Sequence, residues 1–341
     1  MTIDPDPADS LLSLPPPGLD EGTLARVTQD HWGLTGTLTR LSSERDLNHR
    51  LTTATASYTS KLSNPAEPPE QTDFQTRALL HVAATDPGLP IPRVVPTRDG
   101  SPILFLPEGA MRLLSWCPGT PVAHLPRTPA LARATGTALA RLTAALDSFD
   151  HPAADHILLW DLRQFARLAR LMPALPADLR PRATAFLHRF EDRIAPALAR
   201  LPRQIVHADF NPHNLLADPG QAACLTGILD FGDMVRSHRI CDLATAASYQ
   251  IDPSNPLKFL SPLLAAYNSS LPLTQAEFRL LPDLIIARML ATLTISAWRA
   301  ARYPENAAYI LRNAPSAYAG LAAAARLTPG LIQAACERPT P

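Results

Sequence analysis

IVHADFNPHNLL at residues 205–216 and GILDFGD at residues 227–233 decide how this chain is read. Apolar Ile205–Val206 and Leu215–Leu216 bracket the first stretch, and Ile228–Leu229 lead into the second. Each pattern predicts a short strand that delivers a polar loop. The loops carry His207, Asp209 and Asn214 as H-x-D-x-x-x-x-N, followed by Asp230 in D-F-G. An amide oxygen and a carboxylate are the ligands that a hard cation takes, and a second carboxylate remains for proton work. Singly, Asp209 and Asn214 would read as turn formers and Asp230 as a helix cap. Six specified residues in one order, anchored on both sides, are far more specific.

The 341 residues suffice for one large or two ordinary domains, and 46% apolar content predicts that most of the chain folds. Lysine plus arginine equals aspartate plus glutamate at 31 each, which argues against nucleic acid or an anionic membrane as main partner. Cys117, Cys224, Cys241 and Cys336 form no C-x-x-C pair, a pattern of reduced thiols in a cytoplasmic protein. The start, MTIDPDPADS, has neither the basic nor the apolar region of a signal peptide. Leu284 to Trp298 is the nearest approach to a membrane span, but Arg288 interrupts it and it reads as a buried helix.

Residues 1–18 are proline-rich with little to bury and are expected to be a disordered tail. A helix is expected from Asp20, a candidate N-cap, to His31. Thr35–Leu41, His49–Thr53 and Tyr58–Ser63 alternate as antiparallel strands, 70–84 returns to helical spacing, and two strands flank the Asp99–Gly100 turn. Helices are expected over 129–149, 159–172, 182–200, 241–250, 257–269, 274–301 and 306–325. The fold class is therefore α+β: a small antiparallel β-rich N-lobe with one main helix (19–117), then a larger, mostly helical C-lobe (118–341).

Both motif halves match the template of kinases, in which an aspartate receives the acceptor hydroxyl's proton while an asparagine and the D-F-G aspartate hold Mg²⁺. That assigns Asp209 as catalytic and Asn214 and Asp230 as metal ligands. His207 is expected to hold the loop through its ring, and His213 either packs the loop or meets substrate. The chain resembles the aminoglycoside phosphotransferase/choline kinase superfamily, whose fold is protein-kinase-like and bilobal. H-x-D without the protein-kinase arginine is that superfamily's mark, although Ala208 stands where glycine is commoner. SERDLNHRL (43–51), YTSKLSN (58–64) and GILDFGDM (227–234) resemble its hydroxylysine kinase and homoserine-kinase-like branch.

The resemblance implies that Lys61 contacts the α/β-phosphates of ATP or GTP, and that Ser43 to Asn48 form the nucleotide-covering turn. Gln75 stands where the lysine's helix partner is usually glutamate, Leu114 to Trp116 match the purine-reading hinge, and Asp242 matches an aspartate bracing the catalytic loop. The acceptor would be a small hydroxylated amine or amino acid, 5-hydroxylysine first, with no membrane or nucleic-acid partner. An aminoglycoside O-phosphotransferase and a non-catalytic nucleotide-binding pseudokinase are the alternatives. Polycationic aminoglycosides call for clustered acids. Here Arg239 and Arg288 accompany Asp233, so the arginines are expected to take an acceptor carboxylate and the acid its ammonium, the alternative for each arginine being an internal pair with an acid such as Asp242 or Asp283.

Overall fold

The computed structural model describes residues 16–43 and 45–337. Most of the expected tail therefore lies outside the described residues, as does Glu44. The chain divides into two compact units: one runs up to Pro118 and takes in His151–Ala153 and Gly227–Gly232, and the other holds the remainder.

In the first unit, Asp20 caps the helix Glu21–Trp32 by accepting from Thr23 N at 2.9 Å, and Gly33 ends it at φ 70°. Strands β1 (Thr37–Leu41), β2 (Leu47–Thr52), β3 (Ser57–Leu62), β4 (Val94–Val95), β5 (Leu104–Leu106) and β6 (Gly109–Ser115) follow. Their antiparallel order is β1-β2-β3-β6-β4, with β5 also paired to β6. Alternation along β2 turns Leu47, His49 and Leu51 inward, and Leu24, Trp32, Leu47, Leu62, Met111 and Leu113 form a core. The helix Pro69–Thr85 belongs to this unit. So does the D-F-G segment, where Ile228 N donates to Pro90 O at 2.7 Å.

The second unit is mostly helical. Helices Pro129–Leu146 and Leu257–Ser270 approach so closely that a Cβ on Gly136 would lie 2.1 Å from the Leu263 carbonyl oxygen. Helix Gln275–Arg302 opens on a capping box between Thr274 and Glu277. It is long and apolar enough to cross a membrane, but 89% of its apolar window is buried inside the fold.

Three expected helices differ. Leu162–Ala174 is a 3₁₀ run, because its buried residues Leu162, Phe165, Leu168 and Leu171 recur every third position. Arg180–Leu198 carries a π turn at Phe190–Ile194. The expected 306–325 helix is broken into Ala307–Ile310 and Ala314–Ala324, with Pro315 opening the second piece. A further helix, Pro329–Cys336, follows.

Candidate active site

The H-x-D loop leaves the strand Gln204–Val206 inside the second unit. Ala208 there adopts φ 63°, a left-handed conformation that costs an alanine roughly 1–2 kcal/mol. The loop is held from several sides. Asp242, buried in the helix Arg239–Ser248, accepts from His207 N and Ala208 N, both at 3.0 Å. Burial pushes the Asp242 carboxyl above its usual range, while His207 and the two backbone donors oppose the rise. His207 is fully buried, and its Nδ1 accepts from Asp209 N at 3.3 Å.

These constraints fix the Asp209 carboxylate. Its Oδ2 accepts from Asn211 Nδ2 at 2.8 Å and from Asn214 Nδ2 at 2.7 Å, and its Oδ1 from the Arg288 guanidinium at 3.1 Å. Asn214 Nδ2 also donates to Asp209 O, so the amide presents its hydrogens to Asp209 and leaves Oδ1 for another partner. Asn211 went unremarked in the sequence, although it lies two residues from the aspartate and also accepts from His213 N at 2.8 Å. His213 Nε2 meets Asn313 Oδ1 at 3.1 Å, and burial, then Arg312, holds its pKa below the usual histidine value.

Arg288, the arginine expected to take an acceptor carboxylate, is only 2% exposed and turned to partners inside the fold. Besides Asp209, it donates to the carbonyls of Trp160 and Ala208 and lies over the Trp160 ring. A buried arginine needs carboxylate and carbonyl partners inside the fold, and these engage both terminal nitrogens of Arg288, while its buried Nε has no hydrogen-bond partner. Arg239 is likewise committed: it grips Glu277 with two hydrogen bonds of 2.7 and 2.8 Å and donates to Pro272 O. Asp233 closes the single turn Phe231–Asp233, and its charge is felt at Arg288.

In the first unit, Lys61 lies on β3 directly opposite Asn48 of β2 and Arg112 of β6. Its Nζ meets Asp46 Oδ2 at 3.0 Å. Gln75 is not its partner. The Gln75 Oε1 accepts from Arg112 at 2.9 Å and its Nε2 donates to Glu67 at 3.4 Å, because Arg112 is fully buried and draws the nearest acceptor. Burial lowers the Arg112 pKa against the pull of Glu67, Asp46 and Asp230. Asp46 was missed because it lies in the bend just before β2, where strand alternation does not say which way a side chain faces. Asn48 itself sits in the strand rather than the turn, with a buried Oδ1 that no hydrogen bond satisfies. Ser43 Oγ accepts from Asp46 N at 3.2 Å.

The expected purine-reading backbone is also partly engaged. Leu114 pairs with Thr59 and Val94 inside the sheet, Ser115 N donates to Arg93 O, and Trp116 N to Ser57 O. A strand lying in the middle of the sheet has its donors taken by its neighbours. Asp230 is exposed at φ 59°, with Oδ1 accepting from Gly232 N at 3.3 Å.

The profile of the Phosphotransferase enzyme family matches residues 37–281. The chain belongs to that family. It is a small-molecule kinase, an enzyme that transfers a phosphoryl group to an alcohol. Hydroxylysine kinase from Mus musculus is 27% identical over 283 residues, covering 76% of this chain and 75% of that protein. Homoserine kinase from Zymomonas mobilis is 28% identical over 272 residues, covering 76% and 80%. Among solved structures, a microcompartment-associated aminopropanol kinase superposes with a TM-score of 0.62 at 18% identity, over 93% of this chain and 99% of that one. That likeness shows the protein-kinase-like fold.

Proposed function

We propose that this phosphotransferase moves the γ-phosphoryl group of ATP or GTP onto the hydroxyl of a small amino acid or amino alcohol, with 5-hydroxylysine the first candidate. The observation that carries the reading is the Asp209 carboxylate, held at both oxygens by Arg288, Asn211 and Asn214. Three fixed donors orient it without closing it off, since its side chain stays 22% exposed. In this reading the acceptor oxygen bonds to the γ-phosphorus as the bond to the β-phosphate oxygen breaks. The hydroxyl proton passes to Asp209, and a nucleoside diphosphate leaves. Lys61 meets the nucleotide phosphates as a point charge.

Asn214 and Asp230 are the assigned Mg²⁺ ligands. The donor set fits that ion, because the Asn214 hydrogens face Asp209 and leave an oxygen, and Asp230 offers an exposed carboxylate. Held by these ligands, Mg²⁺ would neutralise charge that develops on the transferring group. The acceptor class is supported by the hydroxylysine and homoserine kinases, whose named substrates are hydroxy amino acids. Since Arg239 and Arg288 are committed internally, neither is assigned to the acceptor's carboxylate. Four free cysteines support a reducing, cytoplasmic setting for the reaction.

The test is a panel of 5-hydroxylysine, homoserine, 1-amino-2-propanol and kanamycin, each with ATP and with GTP, read as nucleoside diphosphate release. Turnover of a hydroxy amino acid is expected. Kanamycin turnover alone would make the protein an aminoglycoside kinase, and no turnover with any acceptor would remove the catalytic reading.

A further inference from the structure

Lys61 has a long flexible stem, and a lysine left alone would sample many rotamers whose entropy is lost on binding phosphate. It also sits directly across β3–β6 from Arg112, and like charges opposite one another on a sheet destabilise the pair. A carboxylate must therefore stand with them. The helix Pro69–Thr85 does not supply it to the lysine, since Gln75 is neutral and engaged at both ends by Arg112 and Glu67.

Asp46 does. It is only 6% exposed, its Oδ2 lies 3.0 Å from Lys61 Nζ, and its Oδ1 accepts from Asn64 N at 3.4 Å. Burial alone would raise its pKa, but Lys61, Arg45 and Arg112 outweigh that and keep the carboxylate ionised. Its backbone N–H bonds Ser43 Oγ, so the residue joins the turn before β2 to the lysine on β3.

We propose that Asp46 is the positioning residue of Lys61: it aims the ammonium at the nucleotide phosphates and ties that aim to the turn carrying Ser43. The proposal rests on the reading of Lys61 as the phosphate contact. Gln75, in contrast, secures the buried Arg112 and takes no part in aiming the lysine.

The test uses the full-length enzyme with its best acceptor. Asp46→Asn is expected to raise the nucleotide KM and lower kcat, about tenfold in kcat/KM or more, with acceptor KM little changed and Tm lowered because Lys61 and Arg112 lose their shared carboxylate; Asp46→Glu should recover part of the loss. In a Lys61→Ala background, Asp46→Asn should add almost nothing. Should Asp46→Asn fail to fold, Asp46→Ser carries the same expectations. Full nucleotide kcat/KM in the Asp46 variant, or a loss that adds in full to that of Lys61→Ala, would overturn the proposal. So would recovery of Asp46→Asn by Gln75→Glu, because a carboxylate at position 75 should pair with Arg112 instead. If Lys61→Ala itself left nucleotide kinetics unchanged, the underlying reading would fall, and that outcome is distinct from failure of Asp46 alone.

Discussion

Two charged regions of this protein are built on different plans. Around Lys61 charge meets charge: Lys61 with Asp46, Arg45 with Glu67 at 3.8 Å, and a fully buried Arg112 among acids and hydroxyls. Around Asp209 a single carboxylate is enclosed by oriented donors, one arginine and two amides, on a backbone held by Asp242. The first plan holds a cation in place for a polyanion, while the second fixes one group's geometry. Damage to the first should therefore appear mainly in nucleotide binding, and damage to the second in turnover.

The most severe effect is expected from Asp209→Asn, which keeps shape and removes the proton acceptor. Turnover should fall ~10²–10⁴-fold with nucleotide affinity retained, measured by steady-state kinetics beside direct nucleotide titration. Near-normal turnover would erase the difference between the two regions. Asp230→Ala should be nearly as damaging and should weaken the Mg²⁺ dependence more than Asn214→Ala. Asp230 brings a charge, whereas Asn214 brings only an amide oxygen. An unchanged metal titration in Asp230→Ala would end its assignment as a ligand.

Arg288→Met comes next. It keeps much of the buried volume but frees Asp209 Oδ1 and unseats the Ala208 carbonyl. Misplacing a catalytic group by an ångström can cost roughly 10²-fold, so kcat should drop by that order while acceptor KM stays put. A rise confined to acceptor KM would restore Arg288 to the substrate side.

Much of the architecture was legible because it follows from local periodicity. Alternation from His49 to Thr52, the Asp20 cap and the leucine-rich 275–302 helix each follow from neighbours in sequence, whereas the start of β2 at Leu47 was read as turn. The 3₁₀ run could also have been read, since Leu162, Phe165, Leu168 and Leu171 recur every third residue. The side-chain partners were harder, because they join residues distant in sequence: Arg288 lies 79 positions from Asp209, and Arg112 lies 37 from Gln75. A motif shows which residue types are present but leaves open which donors are already engaged. Arginines that looked available for a substrate carboxylate proved to be closing the fold around carboxylates of its own.

Arg239 puts the smallest catalytic effect on that last point. Its guanidinium holds Glu277 by two hydrogen bonds, and the same carboxylate closes the capping box with Thr274 at the start of the helix Gln275–Arg302. Burial pushes the Glu277 carboxyl up, but Arg239 and Thr274 more than offset this and hold it below the usual range. Arg239→Ala leaves that buried carboxylate without its charged partner, a loss of about 1–3 kcal/mol for an unsatisfied buried group. At roughly 2–4 °C per kcal/mol for a domain of this size, Tm should fall by several degrees. Arg239→Lys, which keeps the charge but not the fork, should lie between. Because the folded Glu277 pKa is depressed, its contribution is present above the unfolded glutamate pKa and is lost as pH falls through the folded value. The Tm gap between wild type and Arg239→Ala should therefore narrow on acidification. Acceptor KM should not move in either variant. A raised KM for 5-hydroxylysine but not for its carboxamide, with Tm intact, would instead place Arg239 at the acceptor's carboxylate.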